Sequence, residues 1–414
     1  MPDISRRGSV MPNSPIRKLV PLAEEAINRG VQVYRLNIGQ PDIPTSPNAL
    51  KAIKNLDAKV IEYGHSAGNE SLRKKFVEYY RRININVDYK DVLITTGASE
   101  AITITLLTCL NAGDEIIVPE PFYANYFSFA TATDVEVVPI TATMENGFAL
   151  PPISEFEKKI TPRTKAIIIC NPNNPTGYIY SREELEQLRD LVVKYNLFLL
   201  ADEVYRELCY DGYKFTSVME LDGMDKHLIL IDSVSKRYSA TGLRTGVIVS
   251  KNRELLDTAL KFCQARLCPP YIAQVAAEAA IDSPPDYMSM VYNEFLTRRN
   301  FLVNELNNMP GVYCPMPKGA FYVLVQLPVD DAEKFAMWML REFDYKKQTV
   351  MVAPASGFYF NTDLGKREVR LAYVLNIEDL SKALTCLRKG LEAYPGRLSD
   401  EVIKQVLITS DSTH

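Results

Sequence analysis

Short apolar runs alternate with stretches of helical periodicity through the middle of the chain. Residues 91–96 predict a buried strand, Gly97-Ala98-Ser99 a turn, and 100–110 a helix. Further strands are predicted at 115–118, 135–140, 165–170, 196–201, 228–232 and 246–249, a set of about seven. Strands separated by helices argue a mostly parallel α/β sheet covered on both faces. Near Pro284-Pro285 the pattern changes. A helix is predicted over 288–308, an apolar segment at 320–325, a helix over 332–342, strands at 350–352 and 368–373, and a helix over 377–393. These make a smaller α+β unit, joined by a helix over 21–28 and a strand over 34–37, so that both chain ends build it. The expected division is 1–45 for an N-terminal arm and part of the small domain, 46–285 for the large domain, and 286–414 for the small C-terminal domain. The last dozen residues read as a frayed tail.

At 414 residues the chain is too long for one simple core. Its 47% apolar and 24% charged content fits a soluble globular enzyme. A net charge of −4 leaves no basic footprint, so no nucleic-acid partner is expected. No uncharged apolar run reaches the roughly 18 residues of a membrane helix, and the N-terminus lacks a signal core. A cytoplasmic protein without a membrane partner is expected. The seven scattered cysteines match no zinc spacing, and the only histidines are His65, His227 and His414. Neither a metal centre nor a histidine-based triad is expected.

The chemistry concentrates at predicted strand ends. Lys236 lies in Ser233-Val234-Ser235-Lys236, with Arg244 eight positions later. A lysine that forms a Schiff base needs a neutral amine and a firmly held partner. A phosphate-bearing aldehyde cofactor needs hydroxyls and a guanidinium, and both sets fit within this stretch. The Thr96-Gly97-Ala98-Ser99 turn precedes a helix, whose free N–H groups and dipole favour an anion. Asp202 ends a buried strand, where a lone carboxylate is costly to ionise unless a cation such as a protonated pyridine meets it. A structural salt bridge or helix cap would also satisfy it. Tyr205 lies three residues on and could reach the same ring. Asn174, in the loop Asn171-Pro172-Asn173-Asn174-Pro175-Thr176-Gly177, could serve either a ring oxygen or a substrate carboxylate. Tyr123 could stack on a flat ring or simply pack in the core. Arg370, among apolar neighbours in a strand, needs an anion: a substrate carboxylate or a nearby acid.

Eight blocks in order resemble the class I/II aminotransferases, which bind pyridoxal 5'-phosphate on the fold type I scaffold of aspartate aminotransferase. They are Leu36–Asp42, Tyr63–Gly68 with Leu72-Arg73, Thr96–Ser99, Asn171–Gly177, Ala201–Tyr205, Ser233–Lys236, Gly242–Arg244 and Val369–Ala372. The resemblance implies that Lys236 is the Schiff-base lysine and proton shuttle. It implies that Asp202 holds the pyridine nitrogen, with Tyr205 and Asn174 at the ring oxygen and Tyr123 stacked on the ring. Ala98, Ser99, Ser233 and Arg244 would hold the phosphate. Tyr63 would reach the neighbouring subunit's phosphate, which implies a homodimer with shared sites. Gly39, Asn174 and Arg370 would hold the substrate α-carboxylate. The implied substrates are an amino acid and a 2-oxo acid, with aspartate and 2-oxoglutarate the first pair to test. A lyase of the same fold, or an aminotransferase for alanine or aromatic amino acids, stays the alternative. Between 263 and 271 only Arg266 offers a cation for a side-chain carboxylate.

Overall fold

The computed structural model describes residues 2–399 and Glu401, so the expected frayed tail lies outside the described residues. Twelve strands can be numbered along these residues: β1 (Gln32–Arg35), β2 (Val92–Thr95), β3 (Glu115–Glu120), β4 (Glu136–Thr141), β5 (Thr164–Cys170), β6 (Phe198–Asp202), β7 (Leu228–Ser233), β8 (Gly246–Val249), β9 (Tyr322–Gln326), β10 (Gln348–Met351), β11 (Ala353–Pro354) and β12 (Glu368–Ala372).

Seven of them form one sheet in the order β2-β8-β7-β6-β5-β3-β4. Only β8 runs antiparallel to its neighbours; the remaining pairs are parallel. The chain folds as an α/β protein with a mostly parallel sheet. Ile167, Ile168, Ile169, Leu199, Leu200, Ile229, Leu230 and Ile231 are all buried, as expected for central strands with helices on both faces. No helix among the described residues is long and apolar enough to cross a membrane.

The sheet's direction decides where the chemistry collects. β2, β7, β6, β5 and β3 all end at one edge, the carboxyl edge where open α/β sheets bind ligands. Because β8 is reversed, its first residue meets their last ones: Gly246 pairs with Thr95 on one side and Ser233 on the other. Cys170 lies beside Asp202 in the same row. Arg244, two residues before Gly246, is thereby delivered to the edge where Ser233 and Asp202 stand.

A second layer builds from both chain ends. β1 pairs in parallel with β10, and β12 lies antiparallel between β11 and β9. Helices Val20–Asn28, Ala332–Arg341 and Ile377–Ala393 cover these strands. The long helix Pro285–Asn307 starts three residues earlier than its periodicity predicts. Proline suits a first helical turn, where no N–H bond is lost.

Among the other boundaries that differ, two have a clear backbone cause. The helix after β2 begins at Gly97, so the expected turn is the helix's own first turn. Gly97 has a φ of +79°, which lets the strand reverse into the helix without a separate loop. The strand expected from 196 starts at Phe198, because Asn196 caps the preceding helix Arg182–Tyr195 in a left-handed conformation.

Candidate active site

One cavity of about 740 Å³ opens at the carboxyl edge. Gly39, Ala98, Ser99, Tyr123, Asn174, Asp202, Tyr205, Ser233, Lys236, Arg244 and Arg370 all line it. Tyr63 does not: it is 82% exposed on the outer surface. Arg266 is also absent from the wall. It pairs with Glu100 at 3.4 Å and donates to the carbonyls of Ser66 and Ile94, so no free cation stands there for a side-chain carboxylate.

The floor of the cavity is electrostatically unusual. Asp202 is buried and accepts a hydrogen bond from Tyr126 at 2.9 Å and a longer one from the Val204 amide at 3.4 Å. Among the described residues it has no ion-pair partner, so the expected alternative of a structural salt bridge does not apply. Burial pushes its carboxyl up from 3.8 to about 6, against the Tyr126 hydrogen bond and the Lys236 charge, which hold it down. Lys236 Nζ donates to the Gly39 carbonyl at 2.9 Å and likewise has no acidic partner. Tyr205 meets Tyr322 hydroxyl to hydroxyl at 3.1 Å. Burial, and then Tyr322, raise the Tyr205 hydroxyl well above its ordinary value.

The wall opposite carries Arg370. Its guanidinium lies between two rings, 4.5 Å from the Tyr322 centroid and 4.9 Å from that of Phe358. It donates to Asn174 Oδ1 at 3.1 Å and to the Asn37 carbonyl, while its Nε is buried without an acceptor. No carboxylate answers this arginine among the described residues, and burial lowers its basicity. A buried guanidinium held by rings and neutral oxygens is set up for a carboxylate from outside.

The third corner combines the start of helix Gly97–Cys109 with Ser233 and Arg244. A Cβ on Gly97 would run into the Arg244 guanidinium, and one on Gly246 would meet the Gly97 and Ala98 backbone. The two glycines are what allow the reversed strand and the arginine to close over the helix N-terminus. Arg244 itself takes a left-handed conformation with φ +53°, which costs a non-glycine residue about 1–2 kcal/mol. Ser233 Oγ accepts from the Ser235 amide at 3.0 Å and opens the short helix Val234–Arg237 that carries Lys236.

These groups fit pyridoxal phosphate. A helix N-terminus with a guanidinium above it suits the phosphate, and a buried carboxylate without a counter-charge suits a protonated ring nitrogen. The lysine and second arginine face the same space.

The model of the family described as aminotransferase class I and II matches residues 31–387. The chain belongs to this family. It is a pyridoxal-phosphate-dependent aminotransferase. An aspartate aminotransferase from Pyrococcus horikoshii is 31% identical over 395 residues, covering 94% of this chain and 97% of the relative. An aromatic-amino-acid aminotransferase from Thermococcus litoralis is 31% identical over 398 residues, covering 94% and 98%. The crystal structure of an aspartate aminotransferase from Thermotoga maritima superposes with a TM-score of 0.86 at 31% identity, covering 94% of this chain and all of that one.

Sequence reasoning passed over three features of this aminotransferase site. Tyr126, the donor to Asp202, lies three residues after Tyr123, where the first turn of helix Asn125–Ala132 would have turned it toward the same edge. Tyr322 braces both Tyr205 and Arg370, and a Cβ on Gly39 would overlap its hydroxyl. No local signal marks it, because it sits in an ordinary apolar strand. The N-terminal residues Met11, Pro12, Ser14, Ile16 and Arg17 also line the cavity, without any recognisable motif.

Proposed function

We propose that this aminotransferase exchanges amino groups between an L-amino acid and a 2-oxo acid, with aspartate and 2-oxoglutarate as its first pair, by ping-pong chemistry. The observation that carries this is the set of four ionic groups in one cavity, Lys236, Asp202, Arg244 and Arg370, none paired with an opposite charge among the described residues. Each has a separate task on one cofactor–substrate assembly.

When bound, pyridoxal phosphate supplies an aldehyde that accepts the amino group and a ring that takes up the electron pair left on Cα. Asp202 holds the proton on the ring nitrogen, and Tyr126 keeps its carboxylate aimed. Tyr205 and Asn174 donate at the ring oxygen, while Tyr123 covers the ring face. Ala98 and Ser99 offer helix N-terminal amides to the phosphate, joined by Ser233 and Arg244. Lys236 lines the same cavity as Asp202 and Arg370. There it removes the substrate's Cα proton as a general base. Gly39, Asn174 and Arg370 fix the α-carboxylate and so orient the Cα–H bond.

Arg370→Gln tests the orientation role. Loss of a buried charge-assisted bidentate pair should lower kcat/KM by about 100-fold for every amino donor, whatever its side chain. Steady-state rates over a donor panel check this. A loss confined to one side-chain class would point away from the α-carboxylate. A lyase of the same fold would give product without any oxo acid, so omission of 2-oxoglutarate separates the two chemistries.

The reading includes a homodimer with shared sites. Tyr63 stands exposed beside Val60 at 69% and Ile61 at 55%, an apolar outer segment that suits a subunit contact. Tyr63→Phe should weaken cofactor binding by about tenfold, one hydrogen bond to a charged phosphate, while sedimentation still reports a dimer. The division at residues 45 and 285, with the flanking segments forming the small domain, belongs to the same proposal. So does a cytoplasmic site of action, which suits the seven free cysteines.

A further inference from the structure

Three arginines line the cavity: Arg244, Arg370 and Arg17. The first two have tasks in the proposed reaction. Arg17 has none, and its side chain has neither an acid nor a hydrogen-bond acceptor among the described residues. It lies in the turn between Ser14 and Leu19, just before helix Val20–Asn28.

That turn is pinned from three directions. Asn37 Nδ2 donates to the Ile16 carbonyl at 2.9 Å. Lys18 pairs with Glu333 on helix Ala332–Arg341. Pro15 packs so closely on Gly357 that a Cβ there would overlap the proline ring. Farther back, Arg7 pairs with Asp134, past the end of helix Asn125–Ala132. The segment is therefore restrained at both ends, and Arg17, though exposed, lines the cavity between these restraints.

The same residues tie Arg17 to Arg370. Asn37 accepts from Arg370 through its carbonyl and holds Ile16 through its amide. Both arginines also act on one hydroxyl: burial pushes Tyr123 up to about 12, and Arg370 and Arg17 each pull it back. Both guanidiniums line the cavity with Tyr123, Arg370 buried and Arg17 exposed, and neither is paired with a carboxylate among the described residues. An amino acid whose α-carboxylate sits on Arg370 would have its side chain in the cavity that Arg17 also lines.

We infer that Arg17 is the specificity-determining residue for substrates with a second, side-chain carboxylate. This rests on the proposed reading of Arg370 as the α-carboxylate site. It makes four-carbon and five-carbon dicarboxylic amino acids, and their oxo acids, the substrate class. Because Arg17 is exposed, its contribution lies at the lower end for a charge-assisted contact.

The test compares aspartate with asparagine and glutamate with glutamine, pairs of nearly equal shape that differ in the distal charge, on the holoenzyme. In Arg17→Gln the ratio of kcat/KM for acid over amide should fall by about tenfold, through KM rather than kcat. Arg17→Lys should recover part of the ratio, and added salt should shrink it in the wild type. A ratio that stays within twofold in Arg17→Gln overturns the assignment, as does a wild type that prefers the amides. Either result leaves the aminotransferase reading standing. If the wild type moves an amino group from no donor at all, that reading itself fails, and the Arg17 assignment with it.

Discussion

Lys236→Ala is expected to abolish turnover. The variant loses the amine proposed to hold the cofactor, and no other lysine lines the cavity among the described residues. Removing a positioned general base alone costs roughly 10²–10⁴-fold, and loss of covalent anchoring adds to it. The alanine also leaves the Gly39 carbonyl without its 2.9 Å donor. That carbonyl faces the cavity, where water can take over the bond, so folding should survive. Oxo-acid formation from aspartate, followed in single turnovers, reads the loss. A small primary amine such as methylamine should restore part of the proton transfer, because the missing function is an amine in an open space. Turnover within tenfold of the wild type without added amine would remove Lys236 from the mechanism.

The contrast with Arg370 and Arg17 is informative. As proposed, Lys236 acts on the reacting carbon, so its loss should lower kcat for all donors. Arg370, as the proposed α-carboxylate site, should act on kcat/KM across the panel. Arg17 should act only where the side chain is charged. Three cavity residues then separate by which kinetic parameter moves and for which substrates.

Much of this was legible in the sequence, for a physical reason. Strands buried on both faces must be continuously apolar, so the central strands of the large sheet stand out as Ile-, Leu- and Val-rich runs. In such a sheet the ligand edge is the carboxyl edge, so a charged residue directly after an apolar run becomes informative. Asp202 is legible this way, whereas Lys236 is marked by the hydroxyl residues Ser233 and Ser235 before it and by Arg244 eight positions later. The strand order was not legible, because pairing depends on contacts far apart in sequence. Without that order, nothing shows that β8 is reversed and brings Arg244 back to Ser233. Tyr322 and Arg17 escaped for the same reason. One contacts residues more than a hundred positions away, and the other reaches the cavity only because Asn37, Glu333 and Gly357 hold its turn. Helix starts were misjudged where a single backbone angle decides them, as at Gly97.

Asp202→Asn should separate the stability of this protein from its activity. With no cofactor bound, the ionised carboxylate sits buried, stabilised by Tyr126, the Val204 amide and the unpaired charge of Lys236. Its folded value of about 6 exceeds the ordinary 3.8, so the folded state holds the proton more tightly than the unfolded chain does. The favourable contribution is therefore complete below about pH 3.8 and is lost as pH rises through about 6. Such a rise corresponds to about 3 kcal/mol at neutral pH. Asparagine carries no charge to desolvate and can still accept from Tyr126 through its oxygen, though its amide hydrogens need partners. Cofactor-free Asp202→Asn should thus be more stable than cofactor-free wild type at pH 7.5, by about 1–3 kcal/mol, and the gap should close near pH 4. Glu203 and Glu368, whose carboxyls burial pushes to about 7, shift both proteins alike and cancel in the difference. Urea melts at the two pH values measure it. Activity should move the other way, falling by roughly 10²–10³-fold, since the protonated ring nitrogen loses its counter-charge. A cofactor-free variant less stable than wild type at pH 7.5 would mean that some cation already compensates Asp202 before pyridoxal phosphate arrives. The carboxylate would then be a structural anchor and not a site held ready for the ring.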